Sequence, residues 1–169
     1  AGRVVVARPE LVDPRSPEGV HLADGILARV NQAEEKSIEA WKRSWTHPAS
    51  EQTRAATPLS LEVLTASPSP GTAGRVLYFE GVKRYKGFLW SPQPGGPPKM
   101  CEYLTFASGW ALSSADGKLS QVDLETALSN CQREGLSYLL PLGVVRAGGR
   151  VFWVVQVSTW ESERYEILE

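Results

Sequence analysis

The sequence lacks most of the features that would assign a protein to a function class. It has one methionine, two histidines and two cysteines in 169 residues, and neither histidine has a Cys, His or carboxylate at a spacing that fixes a metal. No apolar run approaches the roughly 18 residues that span a bilayer. Lys and Arg total 18 against 19 for Asp and Glu, so no overall positive field holds a nucleic-acid backbone. We therefore predict no metal, no other cofactor, no nucleic-acid partner and no membrane span.

Catalytic signatures are missing as well. The sequence contains no Gly-x-Ser-x-Gly elbow, no phosphate-binding glycine loop and no dinucleotide fingerprint. Residues 116–120 resemble the second half of an EF-hand loop, but counting back from Gly117 puts Leu112 at the first ligand position, where calcium needs an oxygen. We predict a plain turn there, and we name no catalytic residue.

The two cysteines are the only indication of a cellular compartment. Cys101 and Cys131 either stay two separately buried thiols or form a disulfide, which the chain-entropy model values at roughly 3 to 4 kcal/mol for a loop of this size. The chain opens on Ala1 and its one methionine is Met100, so we expect the translation start to be removed by processing or to lie outside this sequence. We predict the disulfide, and with it a periplasmic or secreted protein.

Two segments have the apolar spacing of helices. From Asp24 onward, apolar residues recur three to five positions apart with charged residues on the other face, which predicts one long N-terminal helix capped by Asp24. Alternatively, Asp24 and Gly25 form a hairpin turn, and Asn31 caps a shorter helix. A second, short helix is predicted over residues 120–131, where a cap at Ser120 precedes apolar residues at i, i+3, i+4 and i+7.

The rest of the chain has the alternation or β-branched content of strands joined by turns. The predicted strands cover residues 3–7, 59–63, 75–85, 102–112, 138–145, 151–157 and 165–168. Residues 151–157 are apolar on both faces and should lie at the centre of a sheet, whereas Pro141 predicts a bulge or an unpaired edge.

These elements predict an α+β fold in which strands joined by turns pair antiparallel. We expect a single domain over residues 1–169, built mostly of antiparallel β-sheet, with the long N-terminal helix and the short helix packed on one face. Proline-rich segments near 46–58, 67–74 and 91–98 are predicted as long loops within that domain.

The candidate binding residues are aromatic and basic. Trp90 adjoins the third proline-rich segment, and Trp160 stands in the turn between the last two strands, so these two indoles are predicted to be exposed contacts. Lys83, Arg84 and Tyr85 lie in the one basic cluster of the sequence. That cluster fits an acidic partner, or else it is a solvated strand end.

We predict an extracytoplasmic, non-enzymatic binding or protein-interaction module that takes a protein or glycan ligand. The sequence supplies a core, long loops and aromatic residues but no assembled catalytic set. The alternatives are a hydrolase whose catalytic groups converge only in the fold, and a glycan-binding module that uses exposed tryptophans. A deep pocket with two perturbed titratable groups would favour an enzyme, whereas an exposed sheet edge or a shallow aromatic groove would favour the module.

Overall fold

The structure is a computed structural model that describes residues 5–41, 46–69, 73–89, 101–133, 135–148, 150–159 and 161–169. Within these ranges the elements are, in chain order, β1 (Val5–Ala7), β2 (Glu10–Leu11), α1 (Pro17–Trp41), α2 (Glu51–Ala56), β3 (Ser60–Pro68), β4 (Arg75–Leu89), β5 (Glu102–Ser113), β6 (Leu119–Asn130), β7 (Tyr138–Ala147), β8 (Arg150–Ser158) and β9 (Glu163–Leu168).

The strands form two antiparallel sheets where the sequence predicted one. The four-stranded sheet has the order β1-β7-β8-β9, and the five-stranded sheet has the order β2-β3-β4-β5-β6. With one long and one short helix, this arrangement confirms the α+β class. No helix among the described residues is long and apolar enough to cross a membrane.

Both faces of the five-stranded sheet are covered. Alternate residues of a strand point to opposite faces, so Phe79 packs against Ile26 of helix α1 while its neighbours on β4 point to the four-stranded sheet. On that second face the ring of Trp110 meets the ring of Trp153 edge-on, with centroids 4.8 Å apart. The described elements therefore stack in three layers: helix, five-stranded sheet, four-stranded sheet.

Helix α1 begins at Pro17, before the predicted cap at Asp24. The Ser16 hydroxyl accepts a hydrogen bond of 3.2 Å from a backbone N–H of the first turn, and proline fits the first helical position because its missing N–H needs no partner there. Gly25 does not form a turn. A Cβ at this position would lie 3.1 Å from Leu119, so the glycine lets the helix approach β6 closely.

The short helix lies in a segment that was predicted to be a loop. Ser50, Glu51 and the residues after them form helix α2, with the Ser50 hydroxyl accepting from the Thr53 N–H at 3.2 Å. The loop predicted near residues 46–58 is thus interrupted by one and a half turns of helix. Of the other two predicted loops, residues 70–72 and the whole of 91–98 lie outside the described residues.

The helix predicted over residues 120–131 does not form: residues 120–130 belong to β6, the edge strand of the five-stranded sheet. Half-buried Val122 and Leu124 alternate with exposed Asp123 and Glu125, a period of two that the helical spacing concealed. Pairing with β5 along its whole length decides the conformation. The turn before β6 is confirmed: the Ser114 N–H donates to the Lys118 carbonyl at 3.0 Å.

Three predictions about strands and cysteines are confirmed. Strand β8 lies inside its sheet between β7 and β9, and the register of β7 against β8 shifts between Pro141 and Gly143, which is the predicted bulge. The sulfur atoms of Cys101 and Cys131 lie at disulfide distance, with the two Cα atoms 5.2 Å apart. This pair joins the start of β5 to the end of β6.

Candidate functional site

The structure does not assemble the predicted contact residues into one surface. Lys83 and Tyr85 are buried, while Arg84 between them is exposed and forms an ion pair with Glu62 at 3.0 Å. Neighbouring residues of a strand point to opposite faces, so a run of three cannot form one surface cluster. Trp90 and Trp160 lie outside the described residues.

Lys83 and Tyr85 belong to a buried polar network between α1 and the five-stranded sheet. The Lys83 ammonium donates to Glu34 and to Asn31, each at 2.6 Å. The hydroxyls of Tyr85 and Thr105 donate to the other oxygen of the Glu34 carboxylate. Burial raises the pKa of Tyr85, and the negative charge of Glu34 is the second-largest cause of this rise. The Lys83 and Glu34 side chains are wholly buried. We therefore interpret the network as a structural one that satisfies buried polar groups.

Sequence reasoning missed Glu34, although a signal for it exists. Glu34 follows Ile26 and Val30 on the buried stripe of α1, at the four-residue spacing of one helical face. A carboxylate on an apolar face requires a buried cationic or hydroxyl partner. The pattern therefore predicts a buried partner for Glu34, and the structure shows that this partner is Lys83.

A second buried carboxyl, Glu80, lies between the two sheets. It accepts hydrogen bonds from the Tyr78 hydroxyl at 2.5 Å and from the Leu139 N–H at 3.0 Å. Burial raises the pKa of Glu80, and burial together with the Glu80 charge raises that of Tyr78. These bonds tie β4 to β7 and fix how the sheets are stacked.

The raised pKa of Glu80 predicts a pH-dependent gain from removing its charge. A folded state that binds this proton more tightly than the unfolded state loses stability as the pH rises through the folded pKa. We expect Glu80→Gln, whose amide oxygen can still accept both hydrogen bonds, to be more stable than the wild type at neutral pH. The gain is about 1.4 kcal/mol for each tenfold rise in proton affinity. It shrinks as the pH falls from the raised pKa of the folded state towards the ordinary glutamate pKa, and it is gone below that value.

Urea unfolding of both proteins across a pH series measures this difference. Glu125→Gln, at an exposed position of β6, is the matched control and should stay within about 0.5 kcal/mol of the wild type at each pH. A Glu80→Gln protein that is less stable than the wild type at every pH would contradict the prediction.

An open cleft of about 380 Å³ lies beside this pair, between the β5–β6 edge and β9. Its lining includes Trp110, Asp123 and Glu125 on one side and Arg164 and Glu166 on the other. Tyr78 also lines the cleft; burial raises its pKa, and its hydroxyl proton is committed to Glu80. Glu80 and Tyr78, both of which have raised pKa values, thus bond to each other.

No described element covers the outer face of the four-stranded sheet, and most of its side chains are apolar. We use the term outer sheet face for the residues of β1, β7, β8 and β9 that point away from the five-stranded sheet. Three of these residues are strongly exposed: Val6 at 72%, Tyr165 at 67% and Ile167 at 71%. Other apolar side chains on this face include exposed Leu140 and half-buried Val145, Phe152 and Val154. A contiguous exposed apolar surface of this kind marks an interaction site in a folded protein.

Strand β9 adds an open edge to this face. Among the described residues it pairs with β8 alone; Ile167 lies opposite Val154 and Tyr165 opposite Gln156. The other side of β9 has no described strand beside it, so its outward backbone groups can accept a further strand. An exposed edge that also carries two large apolar side chains is the strongest candidate site in the described part of the chain.

The described residues contain no group of three or more His, Cys, Asp or Glu that could hold a metal ion. No protein-family model, curated protein or solved structure matches the chain. The candidate function therefore rests on the geometry of the outer sheet face and of β9.

Proposed function

We propose that this protein is a non-enzymatic protein-interaction module of an oxidising, extracytoplasmic compartment, and that it binds an extended partner segment along β9. The partner segment would add as a fifth strand of the four-stranded sheet. Its apolar side chains would alternate with polar ones and extend the outer sheet face beyond Tyr165 and Ile167. This is the strand-addition mode of peptide recognition, in which backbone hydrogen bonds give affinity and alternate side chains give specificity.

The observation that carries the proposal is the exposure of Tyr165 and Ile167 on an edge strand. Each has a cross-strand neighbour on β8 and none on its open flank among the described residues. A strand placed on that flank would bury both side chains and satisfy the outward backbone groups of β9. Cross-strand pairs of this type are the unit by which sheets are stabilised.

Charge on the outer sheet face also favours an apolar partner. Arg150 forms an ion pair with Glu169 and lies over the Phe152 ring, with its guanidinium carbon 5.2 Å from the centroid. Opposite charges thus neutralise each other at one end of the face. The centre of the face carries no net charge that would demand an acidic or basic ligand.

The Cys101–Cys131 pair supports the proposed compartment. Two cysteines at bonding distance are typical of proteins that work outside the reducing cytoplasm. The hydrolase alternative receives no comparable support, because the buried Glu80 and Tyr78 bond to each other. The glycan alternative depends on Trp90 and Trp160, which the described residues do not include.

A phage-displayed library of linear peptides, panned against the immobilised protein, tests the proposal. We expect the enriched peptides to alternate apolar and polar residues. The double variant Tyr165→Lys/Ile167→Lys should bind them about tenfold or more weakly, because it loses about 1.4 kcal/mol of cross-strand contact.

The control is Val20→Lys, which places one lysine on an exposed apolar residue of α1, outside the four-stranded sheet. This control should bind the peptides as the wild type does. The proposal fails if no alternating peptide is enriched, or if the double variant binds the enriched peptides with unchanged affinity. Circular dichroism of each variant confirms that the fold is retained.

A further inference from the structure

We propose that the strand that fits β9 is β9 of a second copy of this chain, paired antiparallel about a two-fold axis at Tyr165. The inference rests on the proposed function and names its partner. The two four-stranded sheets would then join into one continuous eight-stranded sheet.

The alternation of β9 limits how two copies can pair. In an antiparallel pair, residues directly opposite each other point to the same side of the sheet. A two-fold axis perpendicular to the sheet keeps the outer sheet faces of both copies on the same side of the joined sheet. Because the odd-numbered residues of β9 lie on that face, each must lie opposite an odd-numbered residue of the second copy. The axis therefore passes through a residue, and the candidates near the middle of β9 are Arg164, Tyr165 and Glu166.

Charge selects among these three registers. An axis at Arg164 would place two guanidinium groups opposite each other, and an axis at Glu166 would place two carboxylates opposite each other. Like charges in that position destabilise a strand pair. With the axis at Tyr165, Arg164 lies opposite Glu166 of the second copy, and Glu166 lies opposite its Arg164. This register alone turns all four charges into two complementary cross-strand pairs.

Arg164 and Glu166 are exposed enough to exchange their present contact for contacts with a second copy. Arg164 and Glu166 pair with each other along β9 at 2.6 Å, and their side chains are 58% and 37% exposed. Rotation of exposed side chains toward the second copy would exchange an ion pair within one strand for ion pairs between two strands. The affinity would come from backbone hydrogen bonds and from the burial of Tyr165, and the charges would set the register.

The apolar side of the pair is also compatible with this register. Tyr165 would lie opposite Tyr165 of the second copy, at the distance where two aromatic rings on paired strands make contact. Ile167 would lie opposite Glu163, whose aliphatic stem can cover it while the carboxylate stays in water. Tyr165 and Ile167, the two strongly exposed apolar side chains of β9, would thus gain neighbours.

Sedimentation equilibrium over a concentration series measures the dimer. We expect a reversible dimer for the wild type. Glu166→Arg and Arg164→Glu should each weaken it about tenfold or more, because each creates two like-charge pairs. The double variant Arg164→Glu/Glu166→Arg should restore the wild-type dissociation constant to within about threefold, since the two complementary pairs are formed again with their signs exchanged.

A matched control and a cross-linking experiment fix the register. Arg84→Glu reverses an exposed, ion-paired arginine on β4 and should leave the dimer unchanged. Tyr165→Cys should form a disulfide-linked dimer under mild oxidation, because opposed Cβ atoms on paired strands lie within about 5.5 Å. Ile167→Cys should not, since its opposite residue is Glu163.

Two results would overturn the inference: a wild type that stays monomeric at every concentration, or a dimer that the double charge exchange fails to restore. Neither result would contradict the proposed function, which is measured by peptide binding to β9. Because peptide and second copy would use the same edge of β9, an enriched peptide should compete with the second copy and dissociate the dimer.

Discussion

Replacing Lys83 by methionine is expected to lower the free energy of unfolding by about 3 to 5 kcal/mol. The Lys83 ammonium and the Glu34 carboxylate are both wholly buried and lie 2.6 Å apart. Methionine fills much of the same volume but carries no charge, so the carboxylate would remain in the interior without its cation. Guanidinium denaturation followed by circular dichroism at neutral pH measures the loss.

Two controls separate this buried pair from an ordinary ion pair. Arg84→Met removes the neighbouring, exposed cation that pairs with Glu62 and should cost less than about 1 kcal/mol. The double variant Glu34→Gln/Lys83→Met removes both charges and keeps an oxygen for the hydroxyls of Tyr85 and Thr105, so it should recover most of the loss. Equal losses for Lys83→Met and Arg84→Met, or strict additivity in the double variant, would contradict the assignment.

Strand positions could be predicted where local alternation and burial agree. Residues of β8 are apolar on both faces, and the strand does lie inside a sheet with Trp153 turned to the core and Phe152 to the outer sheet face. The same property could not reveal that one of those faces has no described element packed on it. That outcome depends on which sheet packs against which, and long-range stacking such as that of Trp110 on Trp153 leaves no periodicity in the sequence.

Residues 120–131 show why periodicity alone was misleading. Leu124, Ala127 and Leu128 satisfy helical spacing, yet Val122, Leu124, Thr126 and Leu128 also alternate. Pairing with β5 resolves the ambiguity in favour of a strand. Gly109 of β5 allows the two strands to approach closely, because a Cβ at this position would lie 2.3 Å from the carbonyl oxygen of Asp123. Nothing local to β6 encodes that contact.

The candidate site was the least predictable part. The sequence predicts a surface cluster at Lys83, Arg84 and Tyr85, but neighbouring residues of a strand point to opposite sides. The edge position of β9 follows from the order of strands within the sheet, which the sequence does not state. Tyr165 and Ile167 alternate as strand residues should, and only the sheet order reveals that they lie beside an open flank.

Reduction of the Cys101–Cys131 pair is expected to lower the free energy of unfolding by about 3 to 4 kcal/mol. The two cysteines flank the β5–β6 hairpin at its open end, beyond the last paired residues Tyr103 and Asn130. A covalent link there closes a loop in the unfolded chain, so breaking it gives that chain more conformations without removing any strand pairing from the folded state.

Denaturation of the wild type with and without reductant measures this effect. The matched control is Cys101→Ala/Cys131→Ala, which should have the stability of the reduced wild type, apart from the lost packing of one buried side chain, and should not respond to reductant. Thiol titration of the unfolded, unreduced wild type should detect no free thiol. Two free thiols, or a wild type that is insensitive to reductant, would contradict the bond and remove the main support for an oxidising compartment, while the outer sheet face and the open edge of β9 would still have to be explained by a partner.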